Sequence, residues 1–234
     1  MGVAGFESLT ERFLAALRRG GGDLSAACQA AVQVLPVQRA AIMIDERDVG
    51  VQPWCSSDEI AARVETVQAT VGEGPAVDAV ATGVPVSVVD LTANCGRWPG
   101  FAAALSREPV TGALTAMPLR LGAVRFGALD LYRASPGRVD EAMISAGLHI
   151  ADIITAHLVS ARSGSAEHAG EWLRQPLTSA SIHQAAGMVI AQRGVGAADA
   201  YATLRTYAMH QGISLAEAAE RVLRRRVRFD NGSR

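Results

Sequence analysis

A stretch of small and polar residues two thirds of the way along the chain most constrains how this sequence can fold. Residues 160–170 read Ser-Ala-Arg-Ser-Gly-Ser-Ala-Glu-His-Ala-Gly and lack apolar periodicity. Such composition is typical of a linker between separately folded units. The sequence therefore predicts domains at residues 1–160 and 172–228, a linker at 161–171 and a tail at 229–234.

The two predicted domains differ in charge. Residues 1–170 carry 13 arginines and 18 acidic residues, a net charge of −5, whereas residues 171–234 carry 9 arginines and 5 acidic residues, a net charge of +4. A basic module on an acidic carrier is typical of proteins that bind nucleic acid. A solvated basic helix end would give the same count, so this alternative stays open.

All 22 basic residues are arginine, because the 234-residue chain contains no lysine. Phosphate-loop nucleotide binding, pyridoxal phosphate chemistry and the protein-kinase mechanism each require a lysine at a defined position. These three function classes are therefore excluded.

The cysteines are few and scattered. Cys28, Cys55 and Cys95 form no CxxC pair, which is typical of a reducing cytoplasm and gives no thiol-metal site. No run of about 18 uninterrupted apolar residues is present, and charged residues interrupt the first apolar pattern, so we expect neither a membrane span nor a signal peptide. We expect a cytoplasmic protein without a metal or a cofactor.

The first domain is predicted to combine helices with a sheet. Apolar spacings of three and four residues predict helices over 6–17, 24–35, 98–106 and 140–160, and a capping box at Ser56–Glu59 begins another that runs to about Gln68. Short apolar runs predict strands over 40–45, 49–56, 84–89, 111–119 and 126–132. This arrangement belongs to the α+β class.

The predicted helix over 140–160 has two apolar stripes. One contains Ile144, Leu148, Ala151, Thr155 and Leu158, and the other contains Ile150, Ile153 and His157. A helix that is apolar on two sides needs two partners. We expect its own sheet to be one, and the same helix of a second subunit to be the other.

Several motifs of the first domain resemble those of a GAF domain, over roughly residues 5–160. They are Gly72–Ala76, Ala79–Val86, Val88–Leu91, Trp98–Phe101, Gly112–Pro118 and Gly127–Tyr132. The resemblance implies a central antiparallel sheet with flanking helices and a small-molecule pocket on one face. The ligand is unknown, and the domain could serve dimerisation alone.

Two features could give that pocket a redox or a phosphate-binding function. Some relatives of the fold are cysteine-based methionine-sulfoxide reductases, so Cys95 is a candidate redox residue, but its spacing from Cys28 and Cys55 does not resemble theirs. The Gly72-Glu73-Gly74-Pro75 segment lacks the spacing of a phosphate-binding loop and is better interpreted as a tight turn into a helix. We therefore expect no enzyme activity.

The second domain is predicted to contain three helices. They cover Leu177–Gly194, Ala197–His210 and a third that starts at the Ser214–Glu217 capping box. Three short helices joined by glycines also occur in helix-turn-helix DNA-binding domains. The sequence of this segment, however, resembles an ANTAR domain from about Leu173 to Arg226, through Ile182–Val189, Gly194, Ala200-Tyr201, Leu204-Arg205, Ala208, Leu215 and Ala218-Ala219.

The ANTAR resemblance implies binding to hairpin RNA in nascent transcripts and transcription antitermination. The family commonly has a basic residue where this chain has Ala186, which removes one candidate phosphate contact. The candidate RNA-binding residues are Gln184, Ala185, Ala186, Gly187, Arg193, Arg205, Tyr207, Arg221 and Arg224.

Each kind of candidate has a structural alternative. Arginine can neutralise phosphate and stack on a base, and Tyr207 can stack on a base. The small residues 185–187 could instead permit close helix packing, Arg205 could pair with Asp199 or Glu220, and the arginines from 221 to 228 could be favourable charge at a helix end.

The sequence thus predicts a dimeric, cytoplasmic regulator in which a GAF-like domain senses or dimerises and an ANTAR-like domain binds RNA. A one-component DNA-binding sensor and a cysteine-based redox enzyme are the alternatives.

Overall fold

The computed structural model describes residues 3–22, 24–46, 49–93, 95–162 and 178–229. The predicted linker, apart from residues 161–162, lies outside these residues. The N-terminal part contains α1 (Val3–Arg19), a 3-10 turn (Leu24–Ala26), α2 (Ala27–Val34), β1 (Arg39–Glu46), β2 (Gly50–Ser56), α3 (Glu59–Val71), α4 (Pro75–Thr82), β3 (Val86–Val88), α5 (Pro99–Leu105), β4 (Ala113–Leu121), β5 (Val124–Arg133) and α6 (Glu141–Arg162). The C-terminal part contains α7 (Thr178–Arg193), α8 (Ala197–Gln211) and α9 (Leu215–Leu223).

Local sequence explains where these helices start and stop. Asp58, within the predicted capping box, caps α3 by accepting a hydrogen bond from the Ala61 amide at 2.8 Å. Gly212 ends α8 in the left-handed region at φ 63°. The Ser214 hydroxyl then caps α9 by accepting from the Glu217 amide at 3.1 Å, as the capping box predicts.

The five strands form one antiparallel sheet in the order β2-β1-β5-β4-β3. Successive side chains along each strand point to opposite faces of the sheet, and both faces are apolar. Ile42, Met117 and Leu129 point to α1, α2 and α6, whereas Met43, Leu114 and Tyr132 point to α3, α4 and α5. The predicted α+β class and the antiparallel GAF-like sheet with flanking helices are confirmed.

Gly127 allows the two central strands to approach closely. A Cβ built there would lie 1.9 Å from the Met43 carbonyl oxygen of β1. We expect Gly127→Ala to lower the free energy of unfolding by at least about 3 kcal/mol, because the backbone of a paired strand has to move. Gly96→Ala, where no atom lies within 4 Å, is the matched control in a urea titration. A loss below about 1 kcal/mol for Gly127→Ala would contradict this.

The long helix α6 packs on the sheet with one face, and its second partner differs in part from the prediction. Ile150 and Ile154 are buried against the sheet, although Ile154 belongs to neither predicted stripe. The N-terminal half of α6 is covered by α1 of the same chain. There His149 shares a 2.6 Å hydrogen bond with Thr10, and its ring is tilted against that of Phe6 with the ring centroids 4.8 Å apart. Partly buried apolar side chains of α6 are available for a second subunit to cover, among them Ile144, Leu148, Ile153 and Leu158.

By length and composition alone, Glu141–Ser160 is apolar enough to cross a membrane. Ile150, Ala151, Ile154 and Thr155 of this segment are buried in the domain core, as is typical of the core helix of a folded domain.

Candidate nucleic-acid interface

The helices α7, α8 and α9 form a small unit with its own apolar core. Its most buried members are Ile182, Val189, Leu204, Ala219 and Val222. Phe229, assigned by sequence to the tail, belongs to this unit, because its amide donates to Gln192 Oε1 at 2.9 Å. Its ring also meets Tyr207 edge-on, with ring centroids 5.6 Å apart. The C-terminal segment therefore runs along the end of α7 and the side of α8.

The four candidate residues on α7 are divided between the core and the surface. Ala185 and Ala186 are buried, at 0% and 2% exposure, so their side chains cannot contact RNA in this arrangement. This burial corrects the placement of both as direct contacts and favours the packing role that the sequence left open. Gln184 and Gly187 lie on the exposed face, and no atom lies within 4 Å of a Cβ built on Gly187.

Arg193 at the end of α7 is fixed against α8. Its Nη1 donates to the Thr203 hydroxyl at 2.8 Å, and that hydroxyl donates to the Asp199 carbonyl at 2.7 Å. Asp199, Thr203 and Tyr207 follow each other at intervals of four along α8 and so share one face. Arg193 therefore lies on the side of the unit that also presents Tyr207.

Three of the predicted residues meet at an open depression between α8 and α9. Tyr207, Arg221 and Arg224 line this cavity of about 760 Å³ together with Arg226. Arg221 and Arg224 form ion pairs one helical turn back, with Glu217 at 2.7 Å and Glu220 at 3.0 Å. Hydrogen bonds to Tyr207 and then to Glu217 raise the pKa of Arg221.

Arg205 lies apart from that depression. It is two residues from both Thr203 and Tyr207, so it projects from the opposite side of α8. Its Nη2 donates to the Val49 carbonyl of the N-terminal domain rather than to Asp199 or Glu220. Burial lowers the pKa of its guanidinium.

A buried polar network, missed by the sequence reasoning, lies between α3 and β5 in the N-terminal domain. The Gln68 amide donates to Glu65 Oε2 and to Asp130 Oδ2, both at 2.8 Å, and the Tyr132 hydroxyl donates to Glu65 Oε1. Gln68 Oε1 accepts from the Ala76 amide at 2.9 Å, which ties the network to the start of α4. The signal in the sequence is an aspartate inside the apolar strand Gly127–Tyr132.

The two carboxyl groups of this network are both fully buried. Burial raises the pKa of Asp130 to about 6, although its hydrogen bonds with Gln68 and Glu65 act in the other direction. Burial, followed by repulsion from Asp130, raises the pKa of Glu65 well above its usual range. Burial therefore disfavours the charged form of both carboxyl groups.

The two buried cysteines, Cys28 and Cys95, lie in environments that disfavour the thiolate. Burial raises the pKa of both Cys28 and Cys95, and the Cys95 thiol donates to the Leu91 carbonyl at 3.3 Å. The Cys55 thiol donates to the Leu24 carbonyl at 3.5 Å. Because the thiolate is the reactive form, these surroundings favour structural roles. Within the described ranges, no group of three His, Cys, Asp or Glu side chains could hold a metal ion.

Solved structures similar to this chain contain GAF folds. The GAF domains of the phosphoenolpyruvate-protein phosphotransferases of Coxiella burnetii and Acinetobacter are 13% and 12% identical to it. They match 69% and 71% of this chain and 98% and 99% of their own, with TM-scores of 0.51 and 0.50. Free methionine-R-sulfoxide reductase of Neisseria meningitidis, solved with its substrate, is 14% identical and matches 70% of this chain and 95% of its own, with a TM-score of 0.50. At these identities the likeness shows the fold alone.

Comparison with protein families gives a domain assignment for each part of the chain. None of the curated proteins matches the chain. The GAF domain family matches residues 24–159, and the ANTAR domain family matches residues 173–223. The chain therefore belongs to the GAF domain family and carries an ANTAR domain after its GAF domain.

Proposed function

We propose that this protein is a transcription regulator whose ANTAR domain binds hairpin RNA in nascent transcripts and promotes antitermination under the control of its GAF domain. The order of the two domains fits a sensor-regulated RNA-binding antiterminator. The observation that carries the proposal is the clustering of Tyr207, Arg221, Arg224 and Arg226 at one open depression of the ANTAR domain. Gln184, Gly187 and Arg193 are further candidate contacts.

The chemistry of this depression suits a folded RNA better than a regular DNA groove. Guanidinium groups bind phosphate oxygens in pairs and stack on unpaired bases, and a tyrosine ring offers a second stacking surface. Glu217 and Glu220 already pair with two of the arginines, so binding requires phosphates to replace these carboxylates. Because each arginine–phosphate contact releases counterions from the RNA, the affinity should depend strongly on salt.

The proposed protein acts in the cytoplasm as a homodimer and is not an enzyme. The half-exposed apolar residues Leu148, Ile153 and Leu158 of α6 supply the surface for dimer formation. The burial and raised pKa of the Cys28 and Cys95 thiols support the absence of redox catalysis at these residues. The buried network of Glu65, Gln68 and Asp130 is the candidate sensing element of the GAF domain.

A competition experiment separates RNA binding from DNA binding. The probe is a labelled two-hairpin RNA selected from a randomised-loop pool on the full chain, with unlabelled RNA and duplex DNA of the same sequence as competitors at one stated salt concentration. We expect RNA to compete at least about 100-fold better than DNA. Equal competition, or better competition by DNA, would instead identify a DNA-binding sensor.

Substitution of two arginines in the depression tests the binding surface. We expect Arg221→Gln with Arg224→Gln to weaken RNA binding about 30-fold or more and to lower the slope of log affinity against log salt by about 2, since each phosphate contact contributes about 1. Arg63→Gln with Arg97→Gln, at two exposed, ion-paired arginines of the GAF domain, is the matched control. An unchanged slope in the double variant would show that these arginines do not touch phosphate.

A further inference from the structure

Val49, the residue directly before β2 of the GAF domain, packs into the ANTAR domain. It is wholly buried, and it belongs to the same apolar cluster as Ile182, Tyr201 and Leu204 of the ANTAR domain. A residue of one domain thus completes the core of the other. A unit of three short helices is too small to bury much apolar surface by itself, so the contact stabilises it.

Arg205 is held at the same place. Its Nη2 donates to the Val49 carbonyl, and a Cβ built on Gly50 would lie 2.9 Å from that nitrogen. The guanidinium also lies over Gly72 at the end of α3, where a Cβ would be 3.7 Å from its Cζ. A Cβ at Gly50 would displace the arginine, whereas a Cβ at Gly72 would be in ordinary van der Waals contact with it. Val49, Gly50 and the end of α3 thus form a seat for this side chain.

Two more contacts fix the remaining helices of the ANTAR domain. The Leu215 amide at the start of α9 donates to the Thr70 hydroxyl of α3 at 3.3 Å. His183 on α7 lies 3.7 Å from Glu46 at the end of β1 and shares a 2.6 Å hydrogen bond with Tyr201. Each of the three ANTAR helices is therefore tied to the GAF domain.

At this position Arg205 has few hydrogen-bond partners. Among the described residues, the guanidinium forms no ion pair, and its buried Nε has no hydrogen-bond partner. Desolvating a guanidinium whose described partner is a single carbonyl costs free energy, and a phosphate would satisfy it better. A cavity of about 360 Å³ between α3, α5 and the α8–α9 turn also leaves the junction incompletely packed. The docked arrangement is thus stabilised by Val49 and opposed by the partial burial of Arg205.

We infer that the GAF domain holds its own ANTAR domain in an inhibited form, in which Val49 and Thr70 keep Arg205 from RNA until the two domains separate. The inference rests on the proposed RNA-binding function, with Arg205 as a sequence-predicted RNA contact on the side of α8 opposite the depression, and adds its regulation. The helix α3 carries both Thr70 at this junction and Glu65 and Gln68 in the interior, so it connects the candidate sensing element to the ANTAR domain.

The test uses the full chain with a substitution on the GAF side only. Val49→Lys places a second positive charge beside Arg205 in a buried site, and Val124→Lys adds the same charge at a 57% exposed valine. The first readout is hydrogen exchange at the Leu215 amide. This amide is at the first position of α9 and has no acceptor within its helix, so its protection reports the Thr70 contact. The second readout is binding of the selected two-hairpin RNA.

We expect Val49→Lys to speed exchange at Leu215 and to tighten RNA binding about tenfold or more relative to Val124→Lys, since affinity rises with the fraction of competent molecules. Val49→Ala is the milder variant in case the lysine prevents folding, and it should change both readouts about threefold in the same direction relative to Val124→Ala.

Three results would overturn the inference. Unchanged hydrogen exchange at the Leu215 amide in the Val49 variants would show that Val49 does not hold the domains together. Faster exchange without tighter RNA binding would show that docking does not inhibit. If no form of the chain binds RNA, the proposed function fails and the inhibitory role fails with it, whereas the exchange readout would still report whether the domains dock.

Discussion

An RNA with two adjacent hairpins is expected to bind the full chain at least about 100-fold more tightly than an RNA with one hairpin. In the proposed dimer, two ANTAR domains are joined through the GAF helices, so the second hairpin binds from a high effective concentration. The gain requires no contact beyond those that each hairpin makes alone. It is the largest effect on binding that the proposed architecture gives.

The same measurement on a dimer-disrupting variant provides the control. Leu158→Glu places a charge on the half-exposed apolar face of α6, whereas Leu121→Glu places it on a leucine that is already 59% exposed. We expect only Leu158→Glu to sediment as a monomer and to lose the preference for two hairpins. Equal affinities of the unmodified chain for both RNAs would contradict the bivalent mechanism.

Replacing Asp130 by asparagine is expected to stabilise the chain relative to the unmodified protein by about 2 kcal/mol more at pH 8 than at pH 4. The pKa of Asp130 is raised to about 6 in the folded chain, against about 4 in an unfolded one. The folded state therefore binds more protons than the unfolded state over this window, so stability falls as pH rises through about 6. The raised pKa of Glu65 acts in the same direction at higher pH.

The comparison between variants separates the contribution of the Asp130 carboxyl group to the pH dependence of stability from that of the other carboxyl groups. The asparagine side chain would keep an oxygen that accepts from Gln68 but would lose the titration. Urea titrations at several pH values are needed for the unmodified chain, for Asp130→Asn and for Asp152→Asn, which alters an exposed aspartate of α6. A difference between Asp130→Asn and the unmodified chain that does not vary with pH would show that Asp130 does not titrate in this range.

Local patterns were sufficient to predict most elements of the fold. The hairpin of β1 and β2 followed from two short apolar runs, and the glycines at 194 and 212 marked the ends of helices that the structure places at Arg193 and Gln211. Such signals depend on neighbours in the sequence, and the single chain supplies them.

The features that depend on distant pairs could not be predicted in this way. Gln68 and Asp130 are 62 residues apart, and Arg205 and Val49 are 156 residues apart. Nothing in the local pattern around Arg205 distinguishes a side chain open to RNA from one seated on another domain. Similarly, the periodicity of α6 indicated two apolar sides but not that α1 would cover part of the second.

The most direct test of the central claim is to crosslink the full chain to RNA in cells and to sequence what it binds, with the Val49→Lys form and the Arg221→Gln, Arg224→Gln form in parallel. We expect a shared pair of hairpins ahead of terminators, enriched further by Val49→Lys and depleted by the double arginine variant. Recovery of the same RNAs in the same amounts by all three forms, or no RNA above background, would contradict the assignment of the ANTAR domain as the RNA-binding part of this protein.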